Sequence, residues 1–113
     1  MNIEQFEIKL RSALARHLPE AQIMLERQRS VLIQGRIVID DGLFLSVYFN
    51  ALTLKTSYAL IHNGQRVMGY DNYRFWHFHP FGSPDQHLPC EEPSVDTAIA
   101  AVASAVNAIQ TLK

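Results

Sequence analysis

The feature that most constrains the fold is the dipeptide Asn63-Gly64, set between two strand-like segments, Ser57 to His62 and Gln65 to Tyr70. Both turn residues tolerate positive φ, and a two-residue turn of this kind suits the right-handed twist of adjoining antiparallel strands. The turn sets a register. With His62 facing Gln65, Ile61 opposes Arg66, Leu60 opposes Val67, Ala59 opposes Met68, Tyr58 opposes Gly69 and Ser57 opposes Tyr70. Tyr58, Leu60, Val67, Gly69 and Asp71 then share one face, with Tyr58 covering bare backbone at Gly69, while Met68 and Tyr70 share the other.

More strands precede the hairpin. Ile23 and Leu25 alternate with Gln22, Met24 and Glu26; Val31, Ile33, Ile37 and Ile39 then take one face and Gln34, Arg36 and Asp40 the other. Asp41-Gly42 is a second tight-turn signal, leading into Leu43 to Phe49, which is apolar on both faces except at Ser46 and so predicts a central strand. Helices flank this block. Ile3, Phe6, Leu10, Ala13 and Leu14 form a stripe over 3–17, with Asn2 as cap, Gln5 completing a capping box and Pro19 enforcing the stop. His17 falls in the last turn, where a surface role beside the helix dipole is expected. Ser94 caps a second helix over 95–112, with Val95, Ile99, Val102, Val106 and Ile109 as its stripe. Its six alanines make it narrow enough to lie against a sheet or a second copy of itself, so a homodimer is expected as one option. The predicted class is α+β: one domain of 113 residues with an antiparallel sheet of about five strands within 21–70 and both helices packed on one face.

Charge and composition exclude several functions. Ten Lys and Arg against 11 Asp and Glu give a formal net charge of -1, so nucleic acid cannot be held by overall charge and any basic surface must be local. A hydrophobic content of 48% is far too high for a disordered chain. The single cysteine, Cys90, rules out an internal disulfide and suits a reducing compartment. No apolar run approaches the roughly 20 residues of a membrane helix, so no membrane partner is expected. The start, Met1-Asn2-Ile3-Glu4-Gln5, places an acid where a secretory signal needs bases, which predicts a cytoplasmic protein.

Residues 71–93 lose periodicity and contain four prolines, so an irregular loop of some twenty residues is expected there. Tyr73, Phe75, Trp76, Phe78 and Phe81 are too apolar for a linker, and the loop should pack across the sheet. It also holds the chemistry. Metal binding is one option, because His77, His79, His87 and Cys90 are ligands that zinc accepts. Metal-independent RNA cleavage is a second: two of His77, His79 and His87 would be base and acid, Arg74 or Arg66 would hold the phosphate, and Asp71 would orient an imidazole. Tyr73 and Trp76 would stack on unpaired bases. The third option is architectural, with Tyr70, Phe75, Trp76 and Phe78 in the core, Asp71-Asn72 bonding to backbone, and the histidines satisfied in place.

The stretch from Tyr58 to His87 combines a strand, an Asn-Gly turn, a second strand ending in Tyr70-Asp71-Asn72, and a proline-containing loop with His77, His79 and His87. With the helix that follows, over roughly residues 55–109, it resembles the TumE-like toxins of prokaryotic type II toxin-antitoxin systems. Tyr70, Asp71 and Asn72 match that family's run, and the three histidines fall in its His-rich loop, though spaced more widely. The family's arginine before the tyrosine is Gly69 here, so Arg66 or Arg74 would have to replace it. The resemblance implies a toxin held inactive by a cognate antitoxin protein; taken with the loop chemistry, the leading expectation is a toxin acting on RNA as a ribonuclease without a metal cofactor. A non-catalytic interaction module, with the loop and the Ala-rich helix as its surface, is the alternative from residue types alone.

Overall fold

In the computed structural model, which describes residues 1–112, the chain runs α1 (Ile3–His17), β1 (Gln22–Gln28), β2 (Leu32–Asp40), β3 (Leu43–Asn50), β4 (Thr56–His62), β5 (Gln65–Asp71), β6 (His77–His79), β7 (Leu88–Pro89) and α2 (Val95–Thr111). The strands form a single antiparallel meander in which each pairs with the next in sequence. The class is the α+β expected. The sheet has seven strands rather than about five, because the segment expected to be loop supplies β6 and β7. A three-residue strand and a two-residue one are too short to register as a period. Pro89 is tolerated because it lies on the terminal strand, where a missing N–H breaks no further ladder.

One sheet face carries the core. Ile33, Ile37, Leu45, Val47, Phe49, Tyr58, Leu60 and Met68 are buried and fall opposite one another across β2 to β5. The stripes of α1 and α2 cover them: Phe6, Leu10, Leu14, Ile99 and Val102 are essentially inaccessible. Phe6 stacks on Phe49 with ring centroids 4.4 Å apart. Burial of each such side chain contributes about 1.5–3 kcal/mol. The caps are as the sequence implies: Asn2 and Gln5 form a reciprocal capping box, and Ser94 accepts from the Thr97 N–H. His17, part-exposed at the end of α1, has a specific partner. Its Nε2 lies 3.1 Å from Asp96 Oδ1, joined by Arg16 Nη1 at 3.1 Å, and these contacts tie the end of α1 to the start of α2. Among the described residues no helix is long and apolar enough to cross a membrane.

The hairpin register differs from the simple two-residue count. His62 pairs with Gln65 and Ile61 with Arg66 as expected, but Leu60 then pairs with Met68, Ala59 with Gly69, Tyr58 with Tyr70 and Ser57 with Asp71. Val67 is the extra residue of a β-bulge, and a one-residue slip exchanges faces. Met68 and Tyr70 therefore turn to the core beside Leu60 and Tyr58. Gly69 and Asp71 turn to the opposite face, away from Tyr58.

Candidate functional site

The bulge decides where Asp71 points, and β6 brings it partners. His77 pairs with Asp71 and His79 with Gly69, so both imidazoles rise from the face away from the helices. Phe78 pairs with Tyr70 on the core side, with ring centroids 4.7 Å apart. Trp76-His77-Phe78-His79 thus alternates apolar inward and imidazole outward. This four-residue alternation was the available sequence signal for β6.

Asp71 holds both rings. Its Oδ1 lies 2.9 Å from His77 Nε2 and its Oδ2 lies 2.9 Å from His79 Nε2. The His79 contact is a hydrogen bond, and the Tyr73 backbone N–H donates a second one, to Oδ1. On the far side of each ring, His77 Nδ1 meets the Phe75 carbonyl at 2.9 Å and His79 Nδ1 meets the Pro84 carbonyl at 3.1 Å. A carbonyl only accepts, so both Nδ1 atoms carry protons. The two Nε2 contacts lead to carboxylate oxygens, which also accept. With a hydrogen bond at Nε2 and its Nδ1–H on Pro84, the His79 ring is protonated at both nitrogens, and one imidazolium faces one carboxylate. His77 Nε2 stands close to Oδ1 without hydrogen-bond geometry. Burial raises the Asp71 pKa, but the His79 and Tyr73 hydrogen bonds and the charge on His77 and His79 outweigh it, so the net shift is downward.

His77 and His79 are buried, and the segment from Pro80 to His87 folds over them. His87 is exposed, with its ring 4.4 Å from that of His79 and 5.2 Å from that of His77. One nitrogen from each of the three imidazoles lies within 4.8 Å of the others. Phe75, given no role at the site on sequence grounds, packs edge-on against His77 at 5.4 Å. The aromatic residues that stay exposed as large apolar groups, Tyr73, Phe75 and Phe81, all belong to the segment around the cluster.

The remaining sequence candidates are dispersed. Arg66 is exposed near the turn end of β5, five residues from Asp71 and so about 16 Å along the strand at the usual rise. Arg74 adopts a left-handed backbone conformation (φ 70°) and lies over the Tyr73 ring, 5.6 Å from its centroid. Trp76 is half-buried against the core and donates to Glu92, where it lines a groove with Phe6, Phe49 and Tyr58 on the face opposite the histidines. Cys90 bonds through its N–H to the Trp76 carbonyl, which aligns it with Trp76 and the core side rather than with the histidines. Burial raises the Cys90 thiol pKa, which disfavours the thiolate. Asn72 bonds the Thr56 N–H and the Leu54 carbonyl, an architectural clamp on the loop before β4.

Gly69 sits where the backbone leaves no room for a side chain. A Cβ there would lie 2.4 Å from the Tyr58 carbonyl oxygen, so no side chain fits without moving backbone. Comparison with known proteins returns no match to a family model, to a curated protein or to a solved structure.

Proposed function

We propose that this chain cleaves RNA by histidine acid/base chemistry without a metal cofactor, in the manner of a toxin restrained by a protein antitoxin. One observation carries it: an exposed imidazole, His87, packs tilted against His77 and edge-on against His79, two buried rings that Asp71 draws together. His87 has no hydrogen-bond partner among the described residues and is free to take the proton of a 2′-hydroxyl. The 2′-oxygen then bonds to phosphorus and the 5′-oxygen leaves, taking a proton from the imidazolium of His77 or His79, to give a 2′,3′-cyclic phosphate. A protonated imidazole of the cluster serves the phosphate in place of the family's arginine. Tyr73, Phe75 and Phe81 offer stacking surfaces for unpaired bases.

The toxin role rests on the resemblance in Tyr70-Asp71-Asn72 and the His-rich segment. A non-catalytic module would have its histidines pointing apart, whereas these converge. Single-stranded RNA incubated with the protein in chelator should yield cyclic-phosphate ends, and His87→Ala should lower the rate at least about 100-fold. RNA left intact by folded wild-type protein would remove the enzymatic claim. Expression of the chain alone should arrest growth, and expression of His87→Ala should not.

A further inference from the structure

We infer that the same cluster is a binding site for one first-row transition-metal ion of the zinc type, held by His77, His79, His87 and Asp71. This goes beyond the acid/base function and does not depend on it. The geometry of the ring nitrogens carries the inference. Both buried histidines spend their Nδ1–H on a backbone carbonyl, at 2.9 Å to Phe75 and 3.1 Å to Pro84. That pattern fixes the tautomer of a metal-ligating histidine and aims the Nε2 lone pair at the metal.

Each Nε2 then stands 2.9 Å from a different Asp71 oxygen. A lone pair facing a carboxylate is repulsive unless something positive lies between them. A proton satisfies the His79 contact, whereas the His77 contact lacks hydrogen-bond geometry; a single dication placed among the same atoms satisfies both. His77 and His79, two residues apart on one strand, project in parallel, and Asp71 is cross-strand from His77, so three of the four donors are fixed by the sheet. The fourth donor lies on the covering segment. The imidazole nitrogens are within 4.8 Å of one another, and drawing them to the roughly 3.3 Å that separates ligands around tetrahedral zinc calls for a movement of about 1.5 Å. The exposed His87 is placed to supply it.

The donor set also selects the ion. Three imidazoles and one carboxylate suit zinc, cobalt, nickel or copper, whereas magnesium and calcium require mainly oxygen ligands. Cys90, with its core-side alignment and raised thiol pKa, is outside the set. A bound ion would occupy the Nε2 positions and His87, so the loaded protein cannot use those nitrogens for proton transfer. Metal-loaded and acid/base-competent forms are alternative states of one site.

The test uses the full chain, stripped with chelator, dialysed, and titrated with zinc alone and with cobalt(II) alone. Binding of one ion per chain is expected. The cobalt form should show the intense visible bands of a tetrahedral nitrogen and oxygen site, with no near-ultraviolet thiolate charge-transfer band. His87→Ala, a change at an exposed position, should weaken binding at least about tenfold with the far-ultraviolet circular dichroism unchanged, and Cys90→Ser should leave affinity unchanged. No stoichiometric binding, a thiolate band, or equal affinity in His87→Ala would overturn the assignment. Because the readout contains no RNA, a failure here leaves the cleavage activity standing, and a failure of cleavage leaves the metal site standing.

Discussion

At the scale of single residues, the site depends on one position that carries no side chain. Gly69 faces His79 across the β5–β6 pair, and a Cβ there would fall 2.4 Å from the Tyr58 carbonyl and 3.3 Å from the Ala59 Cα. Both are backbone atoms of a central strand and cannot swing aside as a flexible side chain could. Gly69→Ala should therefore destabilise the protein by about 1–3 kcal/mol, the usual cost of forcing atoms into a packed interior. Urea unfolding measures this. A stability equal to wild type would mean that β4 and β5 separate freely, and the site's support would have to lie elsewhere.

Legibility also divides at this scale. The residue types His77, His79, His87 and Asp71 stand out in the sequence, and the fold brings them together. Their orientation was hidden, because it turns on Val67. An unbulged hairpin sends Asp71 to the core face, and only the extra residue sends it out to the histidines. A bulge of this kind leaves no mark in a run such as Gln65 to Tyr70, where alternation is already weak. The face that Trp76 takes is set in a related way. Its type suits base stacking, but its parity with Phe78 along β6 assigns it to the core side.

At the scale of elements, α1 and the terminal helix were readable from spacing and caps alone, because a fifteen-residue amphipathic stripe repeats its signal several times. β6 and β7 repeat theirs once or not at all. What spacing could not reveal is how α1 is joined to the first strand. Glu7 accepts from Arg11 Nε at 2.8 Å within the helix and from Arg27 Nε at 2.7 Å on β1. The Arg11 hydrogen bond, then that of Arg27, hold its carboxyl below the ordinary 4.5 against a smaller opposing effect of burial. A depressed folded-state pKa means that the unfolded chain binds the proton more readily, so the contribution to stability is complete above the unfolded value and is lost as pH falls through the folded one. Wild type should exceed Glu7→Gln by about 1 kcal/mol or less at neutral pH, given two largely exposed arginines. The gap should narrow as the pH falls below about 4.5, the unfolded-state value. Denaturation midpoints of both proteins across acid pH measure it, and a gap that stays constant with pH would exclude the pair as a source of stability.

At the scale of the molecule, the sheet separates two tasks. The helix side holds Phe6, fully buried and stacked on Phe49, together with the aliphatic stripes of both helices. The other side, at the β5 to β7 end, holds Asp71 and the three histidines, closed over by Pro80 to His87. The two sides meet through Tyr70 and Phe78, which pack together on the core side of the strands that carry the site. If the sheet acts as a rigid divider, damage on one side should not pass to the other. Phe6→Ala removes a large ring from a closed core and should cost about 3–5 kcal/mol. Assayed in the cold, where the variant is still folded, its RNA cleavage per folded molecule should match wild type. His87→Ala should do the reverse, changing stability by no more than about 0.5 kcal/mol because the side chain is exposed, while abolishing cleavage. Paired urea curves and initial rates decide between this separation and a coupled molecule. A Phe6→Ala protein that is folded but slow would show that the packing of α1 reaches the histidines through Tyr70 and Phe78, and the site would then have to be treated as an extension of the core.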